Sequence, residues 1–463
     1  MAGTVSPLRK NDTVTLCVEG YTAEGLGLAR YEGQVVFVHR GIRGEKALCR
    51  IEKVGKSLAY ARVVSAEEPS PHRVEPDCPY YGKCGGCDYR HMDYEEELYA
   101  KREKVQTALK RLGGCEVEVE PVSAAAETER YRNKVQFPVS PDGKVGFYRA
   151  RTHEVTDIRT CRLQTEAAER AAEALRCYRE KYAVSGYDEV RHSGLLRHLF
   201  VRTDREGRSL ICVVANAETL PHEEELVRMM RENCPQAVGV LLCTNREKTN
   251  VVLGERYRTL WGEDSLRDSL SGFCFRLSVP SFFQVNREQA EVLYEKAVSF
   301  ADLTGRETVL DLYCGVGTVT SVLARHCARV IGAEVVPEAV EDAWENARQN
   351  GIRNAEFFCG DAGEVAAKLA AEGLRPDVVT VDPPRKGLAP EVVEEIASMA
   401  PQRVVYISCD PATLGRDVGR FRAAGYECTR AAAVDMFPRT SHVETVVLLS
   451  KLCPEERKVE ITP

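Results

Sequence analysis

From about Ser271 onward the sequence alternates between short apolar runs and helix-length segments, and this alternation restricts the possible folds more than any other feature. The runs "ETVLDLYCG", "ARVIGAEV", "AEFFCGDA", "PDVVTVDPP" and "RVVYISCDP" are rich in β-branched residues and carry few charges until they end. Five such strands, each separated from the next by a helical segment, predict a doubly wound, mostly parallel α/β sheet. In sheets of this kind ligands collect beyond the carboxyl ends of the strands. Asp311, Glu334, Asp361, Asp382 and Cys409 stand there, one strand after another.

The upstream sequence has a different rhythm. Residues 9–66 contain the short alternating runs "DTVTLCVEGY", "QVVFVHR", "EKALCRIEKV" and "LAYARVVSA", divided by turns such as "EGLGLARYEG" and "HRGIRGE". Strands spaced in this way predict a small β-barrel. "EEPSPHRVEPDCP" then reads as a linker. After a cysteine-rich knot, "YEEELYAKREKVQTALKRLG" has helical periodicity and stops at Gly113 and Gly114. From Tyr131 to about Trp261, strands mix with helices at "TEAAERAAEALRCYREKY" and "EEELVRMMREN", as in an α+β domain. The expected division is 1–66 for the barrel, 67–270 for the central α+β domain and 271–463 for the sheet.

With 463 residues, 44% hydrophobic and 29% charged, the chain has the composition of a globular protein, not of a disordered or fibrous one. "MAGTVSPLRKNDTVTL" lacks the apolar core of a signal peptide, and no window approaches the roughly 18 apolar residues of a membrane span. A cytoplasmic location without membrane contact is expected, with most of the eighteen cysteines reduced. The net charge of -7 argues against wholesale wrapping of nucleic acid. Residues 1–66 nevertheless hold ten Lys or Arg against six Asp or Glu, which suits either an RNA-gripping appendage or an ordinary solvated surface.

The glycine turn of "DLYCGVGTVT" joins a strand to a helix, but a lone G-x-G is weak and lacks the third glycine of a dinucleotide fingerprint. Glu334 ends the next strand about twenty residues on, where a carboxylate takes two ribose hydroxyls. Asp361 ends the third strand, in position to accept from an adenine amino group or simply to cap a helix. No Walker lysine follows the glycines, so a triphosphate is not expected. An adenosine without phosphates remains, and it points to S-adenosylmethionine.

The motifs "SVPSFFQVN", "DLYCGVGT", "DPPRKG", "ISCDPATLGRD" and "HVETVVLL", in that order, resemble the RNA (uracil-5-)-methyltransferase family, which acts on bacterial ribosomal or transfer RNA. The resemblance runs from the N-terminal barrel, similar to an OB-like TRAM module, to the last strand. It implies a Rossmann-like S-adenosylmethionine methyltransferase domain at the C-terminus. Gln284, Tyr313, Gly315, Glu334, Asp361 and Asp382 would then contact S-adenosylmethionine or the target base. Thr318 belongs with them, although some members carry asparagine there.

The same resemblance gives the thiol its purpose. Carbon 5 of uracil is a poor nucleophile until a thiolate adds to carbon 6, so Cys409 is expected to be a covalent catalyst. No His or Lys stands beside it in sequence to lower its pKa. Glu444 in "SHVETVVLL" is implied as the general base; His442, two residues earlier and on the same strand face, is the competing choice. Asp382 is suited to read the imide edge of the uracil.

In "CPYYGKCGGC", Cys78, Cys84 and Cys87 are spaced to bend around a metal, and Cys161 lies downstream; the residues alone fit zinc or an iron-sulfur cluster. The loop resembles the [4Fe-4S] loop of the family, with Cys161 as fourth ligand and with Arg90 where glutamine is common. "ERYRNKVQFPV" and "GKVGFYRART" interleave Arg132, Lys134 and Arg149 with aromatics including Phe147, which suits single-stranded RNA or an ordinary sheet equally. By resemblance the barrel and the cysteine loop favour 23S ribosomal RNA over transfer RNA. The competing classes are an amino-group methyltransferase, whose Asp-Pro-Pro loop would end in an aromatic where Arg385 stands, and a catalytically silent RNA-binding protein. The oligomeric state is open.

Overall fold

The computed structural model describes residues 8–452; the first seven residues of the N-terminal stretch weighed above, and the end of the chain, lie outside that range. The first five strands, β1 (Thr13–Tyr21), β2 (Gly27–Tyr31), β3 (Gln34–His39), β4 (Lys46–Val54) and β5 (Leu58–Glu68), close into a barrel of order β1-β2-β3-β5-β4. Alternate residues such as Leu16, Val36, Val38, Ile51 and Ala61 fill it. The stretch expected to be only a turn contains strand β2. Its glycines hid the strand, and Gly27 is needed there because a Cβ would stand 3.0 Å from the Gly41 backbone.

Helix α1 (Tyr94–Gly113) begins where Asp93 caps the Glu96 amide and ends where Gly114 turns left-handed, as its sequence predicts. The central sheet combines β6 (Lys134–Pro138), β9 (Leu196–Thr203), β10 (Ser209–Ala215), β11 (Ala237–Thr244) and β12 (Arg256–Gly262), in the order β12-β11-β10-β9-β6. The short pair β7 (Gly146–Tyr148) and β8 (Val155–Asp157) stands apart from that sheet. Helices α2 (Glu166–Lys181) and α3 (Glu223–Asn233) share a core with the central sheet.

A hairpin, β13 (Ser265–Leu270) and β14 (Phe273–Ser278), leads to α4 (Arg287–Ala301) and then to the alternating region. There β15 (Thr308–Leu312), α5 (Thr318–Ala324), β16 (Arg329–Glu334), α6 (Pro337–Gln349), β17 (Ala355–Cys359), α7 (Ala362–Ala371), β18 (Val378–Val381), α8 (Pro390–Met399), β19 (Arg403–Ser408) and α9 (Pro411–Ala423) succeed one another. Strands β20 (Tyr426–Val434) and β21 (Glu444–Lys451) complete a seven-stranded sheet of order β17-β16-β15-β18-β19-β21-β20. The five predicted strands are parallel, and β21 and β20 add antiparallel pairing at one side. One face is covered by α4, α5 and α6, the other by α7, α8, α9 and also α1.

That last helix departs from the expected division at residue 270. Val105 and Leu109 of α1, with Cys115 and Val119 after it, lie in the core of the C-terminal sheet. Gly415 allows the close crossing of α9 over α1, since a Cβ there would meet the Ala108 carbonyl at 2.6 Å. The three-part division therefore stands as a proposal in which residues 94–125 pack with the third part.

Candidate active site

The carboxyl ends of β15 to β19 open into one cleft of about 1020 Å³. Gln284, Tyr313, Gly315, Thr318, Glu334, Asp361, Asp382, Cys409 and Glu444 all line it, although they come from segments 160 residues apart. The reason is topological: every parallel strand ends at the same edge. Asp311 is the exception among the strand-end acids. It is buried behind the cleft, accepting from Thr320 (2.5 Å) and Thr380 (2.6 Å), and so ties β15 to α5 and β18.

The wall made by β15, β16 and β17 carries the glycine turn and two of the strand-end acids. Tyr313 has a φ of 66° and Gly315 a φ of 55°, and a Cβ on Gly315 would meet nothing within 4 Å. The turn thus leaves open space in front of its backbone, and the outlying Tyr313 conformation is of the kind that clusters at ligand sites. The Glu334 carboxylate is fixed by the amides of Gly315 (3.1 Å) and Val336 (2.9 Å). Asp361 caps α7 through the Gly363 amide (2.9 Å), so the capping reading holds while the side chain also lines the cleft. Thr318 lies 3.3 Å from the hydroxyl of Tyr294, a cleft residue with no sequence signal beyond helical burial.

The opposite wall holds Cys409, Glu444 and Asp382. In the antiparallel pair β19–β21, Ser408 stands opposite Thr445, so the next step of the register sets Cys409 against Glu444. Asp382 follows the neighbouring strand β18. Two carboxyl groups and a thiol share one corner of the cleft, with consequences for each. Burial, aided by Asp311, pushes Asp382 up to about 7. Burial and Asp382 push Glu444 up to about 8. Burial, then Glu444 and Asp382, push the Cys409 thiol up to about 11. Arg385, from the same loop as Asp382, opposes the rise for both Glu444 and Cys409. It is the cationic helper that adjacency in sequence did not reveal. His442 also lines the cleft, but burial holds it down to about 4 and keeps it neutral.

The loop bearing Asp382 and Arg385 is held from α9. Buried Asp417, in the "LGRD" stretch, accepts from the Leu388 amide (2.8 Å) and the Tyr406 hydroxyl (2.9 Å), while Arg416 donates to the Lys386 carbonyl (2.8 Å). At the cleft mouth Phe282 is 63% exposed, unusual for a phenylalanine in a lined cavity, with the Lys134 ammonium 5.7 Å from its ring.

A second, smaller cavity of about 140 Å³ gathers Cys78, Cys84, Cys87 and Cys161 with Arg90 and Arg132. Arg90 is buried and ion-paired to Asp77 (2.7 Å), and its Nε and Nη2 have no oxygen or nitrogen partner. Burial pushes Cys84 up to about 11 and Cys87 up to about 12. Among the described residues no three His, Cys, Asp or Glu side chains converge as a single ion requires. The four thiols share this cavity with the Arg90 guanidinium, which is paired to Asp77 and Glu129 and hydrogen-bonded to the Cys87 sulfur.

Of the expected RNA contacts, Arg132 lines this thiol cavity, Lys134 faces Phe282, and Arg149 is exposed and paired to Glu154 (2.8 Å). Phe147 is half-buried, packs on Phe137 at 5.1 Å and lines the thiol cavity.

Fold and cleft together define a Rossmann-like S-adenosylmethionine methyltransferase joined to a β-barrel. The profile of the family "tRNA (Uracil-5-)-methyltransferase" matches residues 93–452, and that of the TRAM domain matches residues 7–64. The chain belongs to the tRNA (uracil-5-)-methyltransferase family and is an S-adenosylmethionine-dependent RNA methyltransferase. It is 44% identical over 448 residues, covering 96% of this chain and 97% of the relative, to a Clostridium tetani protein named as an uncharacterized RNA methyltransferase. A Clostridium acetobutylicum protein named in the same way is 40% identical, with 97% of this chain and 99% of the relative covered. The crystal structure of Pyrococcus abyssi tRNA (uracil-54, C5)-methyltransferase in complex with S-adenosyl-L-homocysteine is 28% identical, with a TM-score of 0.76 over 94% of this chain and 99% of that one. Among the described residues no helix is long and apolar enough to cross a membrane.

Proposed function

We propose that this chain methylates carbon 5 of a uridine in 23S ribosomal RNA, with Cys409 as nucleophile, Glu444 as base and Asp382 as the reader of the uracil imide. The observation that carries the reading is the meeting of these three side chains in the cleft, on the wall facing the nucleoside turn. S-adenosylmethionine supplies a methyl group on a sulfonium, and Glu334, Asp361, Tyr313, Gly315, Thr318 and Gln284 are the residues that would hold it beside the base.

The Cys409 sulfur bonds to carbon 6, and the ring's C5–C6 π pair moves onto the carbon 4 carbonyl to give an enolate. Carbon 5 then bonds to the methyl carbon as the methyl–sulfur bond breaks toward sulfur. Glu444 takes the carbon 5 proton, the C–H pair reforms the C5–C6 double bond, and the thiolate leaves. A buried carboxylate near pH 8 is well matched to that proton transfer, and it explains why His442, held neutral and weakly basic, is the poorer candidate. Addition to a ring carbon requires the base to leave its stack, and exposed Phe282 beside Lys134 lies where a neighbouring base would rest. Arg132, Lys134 and Arg149 are proposed as RNA contacts.

Cys78, Cys84, Cys87 and Cys161 are proposed to hold a [4Fe-4S] cluster, on the strength of four thiols sharing one cavity with the Arg90 guanidinium, which lies against Cys87. The ribosomal choice rests on the likeness of the barrel and the cysteine loop, and such a substrate places the enzyme in the cytoplasm. Transfer RNA is the second reading. It is favoured by the Pyrococcus abyssi enzyme, whose likeness covers 94% of this chain, so the barrel alone does not separate the two substrates. Anaerobically purified protein, tritiated S-adenosylmethionine and RNA from cells lacking 5-methyluridine decide the matter. Label recovered as 5-methyluridine in large-subunit RNA supports the proposal, label only in transfer RNA overturns the substrate, and none in either overturns the reaction.

A further inference from the structure

The segment between β20 and β21 carries Phe437 and His442 into the cleft and delivers Glu444, yet most of what holds it lies far away in sequence. Lys101 donates to the Phe437 carbonyl (3.1 Å) and Tyr131 to the Pro438 carbonyl (3.0 Å). The Arg439 amide donates to Glu97 (2.6 Å), and Lys104 donates to the Ser441 carbonyl (2.9 Å). Arg439 itself has a φ of 70°, a conformation that persists only where its surroundings impose it.

The centre of this clamp is Asp88, the residue after Cys87. Its amide and that of Tyr89 donate to the Arg439 carbonyl (2.9 and 3.2 Å), and its carboxylate accepts from the Ser441 amide (2.8 Å). Its own carbonyl accepts from Tyr81 within the cysteine loop (2.6 Å). One edge of that loop therefore faces the thiol cavity, and the other is bonded to the strand-entry segment of Glu444. Cys409 has separate support, at the end of β19 and the start of α9, where Asp410 caps the helix.

We infer that Asp88 is a positioning residue through which the cysteine loop aims Glu444, so that its loss slows removal of the carbon 5 proton while sparing attack by Cys409. The inference rests on the assignment of Glu444 as base. Misplacing a catalytic group by about 1 Å costs on the order of 100-fold in rate. An enzyme that adds and methylates but deprotonates slowly must accumulate a covalent complex with ordinary RNA.

The test compares Asp88→Ala, Asp88→Asn and Glu444→Gln on RNA carrying tritium at uridine carbon 5. It reads tritium release, covalent complex on denaturing gels, the rate of 5-fluorouridine trapping, and iron and sulfide content. Asp88→Ala is expected to release tritium on the order of 10- to 100-fold more slowly, to accumulate complex and to trap 5-fluorouridine RNA at the wild-type rate, with iron unchanged. Asp88→Asn keeps an oxygen acceptor for the Ser441 amide and is expected to recover most of the loss. Wild-type tritium release from folded Asp88→Ala, or an equal fall in trapping and release, overturns the inference. Should that variant not fold, Ser441→Pro deletes the same hydrogen bond from the other partner, and wild-type release from it overturns the inference equally. If Glu444→Gln accumulates no complex, the base assignment fails, and the inference falls with it; complex in Glu444→Gln but not in Asp88→Ala sinks the inference alone.

Discussion

Replacing Arg385 by glutamine probes how the nucleophile is ionised. Burial and two carboxylates push Cys409 up to about 11, and Arg385 is the cation that opposes them. At pH 8 a thiol of pKa about 11 is ionised in about one molecule in a thousand, so the rate of attack is expected to rise with pH, by less than tenfold per unit where Glu444 ionises. Removing a nearby opposite charge raises the pKa by about one further unit, which is about 1.4 kcal/mol and about tenfold in thiolate. The assay is single-turnover trapping by 5-fluorouridine RNA between pH 7 and 9.5, with RNA and methyl donor saturating so that weakened RNA binding appears in KM alone. Arg385→Gln is expected to give a line parallel to wild type and about tenfold below it, with Arg385→Lys recovering most of the difference. Wild-type trapping rates in Arg385→Gln, or a wild-type rate flat with pH, would refute the reasoning.

Three other outcomes follow from the same geometry. An acid whose folded pKa is raised destabilises the fold as pH climbs from its unfolded value to its folded one, so Glu444→Gln is expected to stabilise the protein by on the order of 4 kcal/mol at pH 8. Since Glu444 titrates at about 8, the gain should vanish near pH 4, which denaturant midpoints at the two pH values will show. Glu334→Ala removes a carboxylate that two amides hold in place, and calorimetry should find S-adenosylmethionine binding weaker by about 1.5–3 kcal/mol while 5-fluorouridine trapping keeps its Cys409 dependence. Lys101 is fully buried between Glu97 (2.7 Å) and Asp435 (2.5 Å), so Lys101→Met takes the shared ammonium from two buried carboxylates, leaving Glu97 the Arg439 amide and Asp435 the Tyr94 hydroxyl, and is expected to cost about 3–5 kcal/mol in thermal or chemical unfolding.

What could be read in the sequence was what is local. Strand-end acids, the glycine turn and Cys409 each announce themselves within a few residues, and one topological rule brings them to a common edge. Helix α1 was legible from its periodicity and its terminal glycines, but the sheet it covers was not, because Gly415 crosses it from more than 300 residues away. Arg385 was read only as a substitute for an aromatic; its action on Cys409 depends on two strands being neighbours. That Phe147 packs on Phe137 was not legible, because alternation alone does not say which face of a strand is covered. The Lys101 triad and the Asp88 clamp left no trace in the sequence, since each joins groups separated by more than 330 positions.

The most direct test of the central claim is to trap the enzyme on 5-fluorouridine RNA with S-adenosylmethionine, digest the complex with trypsin and nuclease, and locate the nucleotide by mass spectrometry. A methylated fluorouridine nucleotide on the peptide 404–416, attached at Cys409 and absent from Cys409→Ala, is the predicted result. An active enzyme that yields no adduct, or an adduct on another cysteine, would contradict the account.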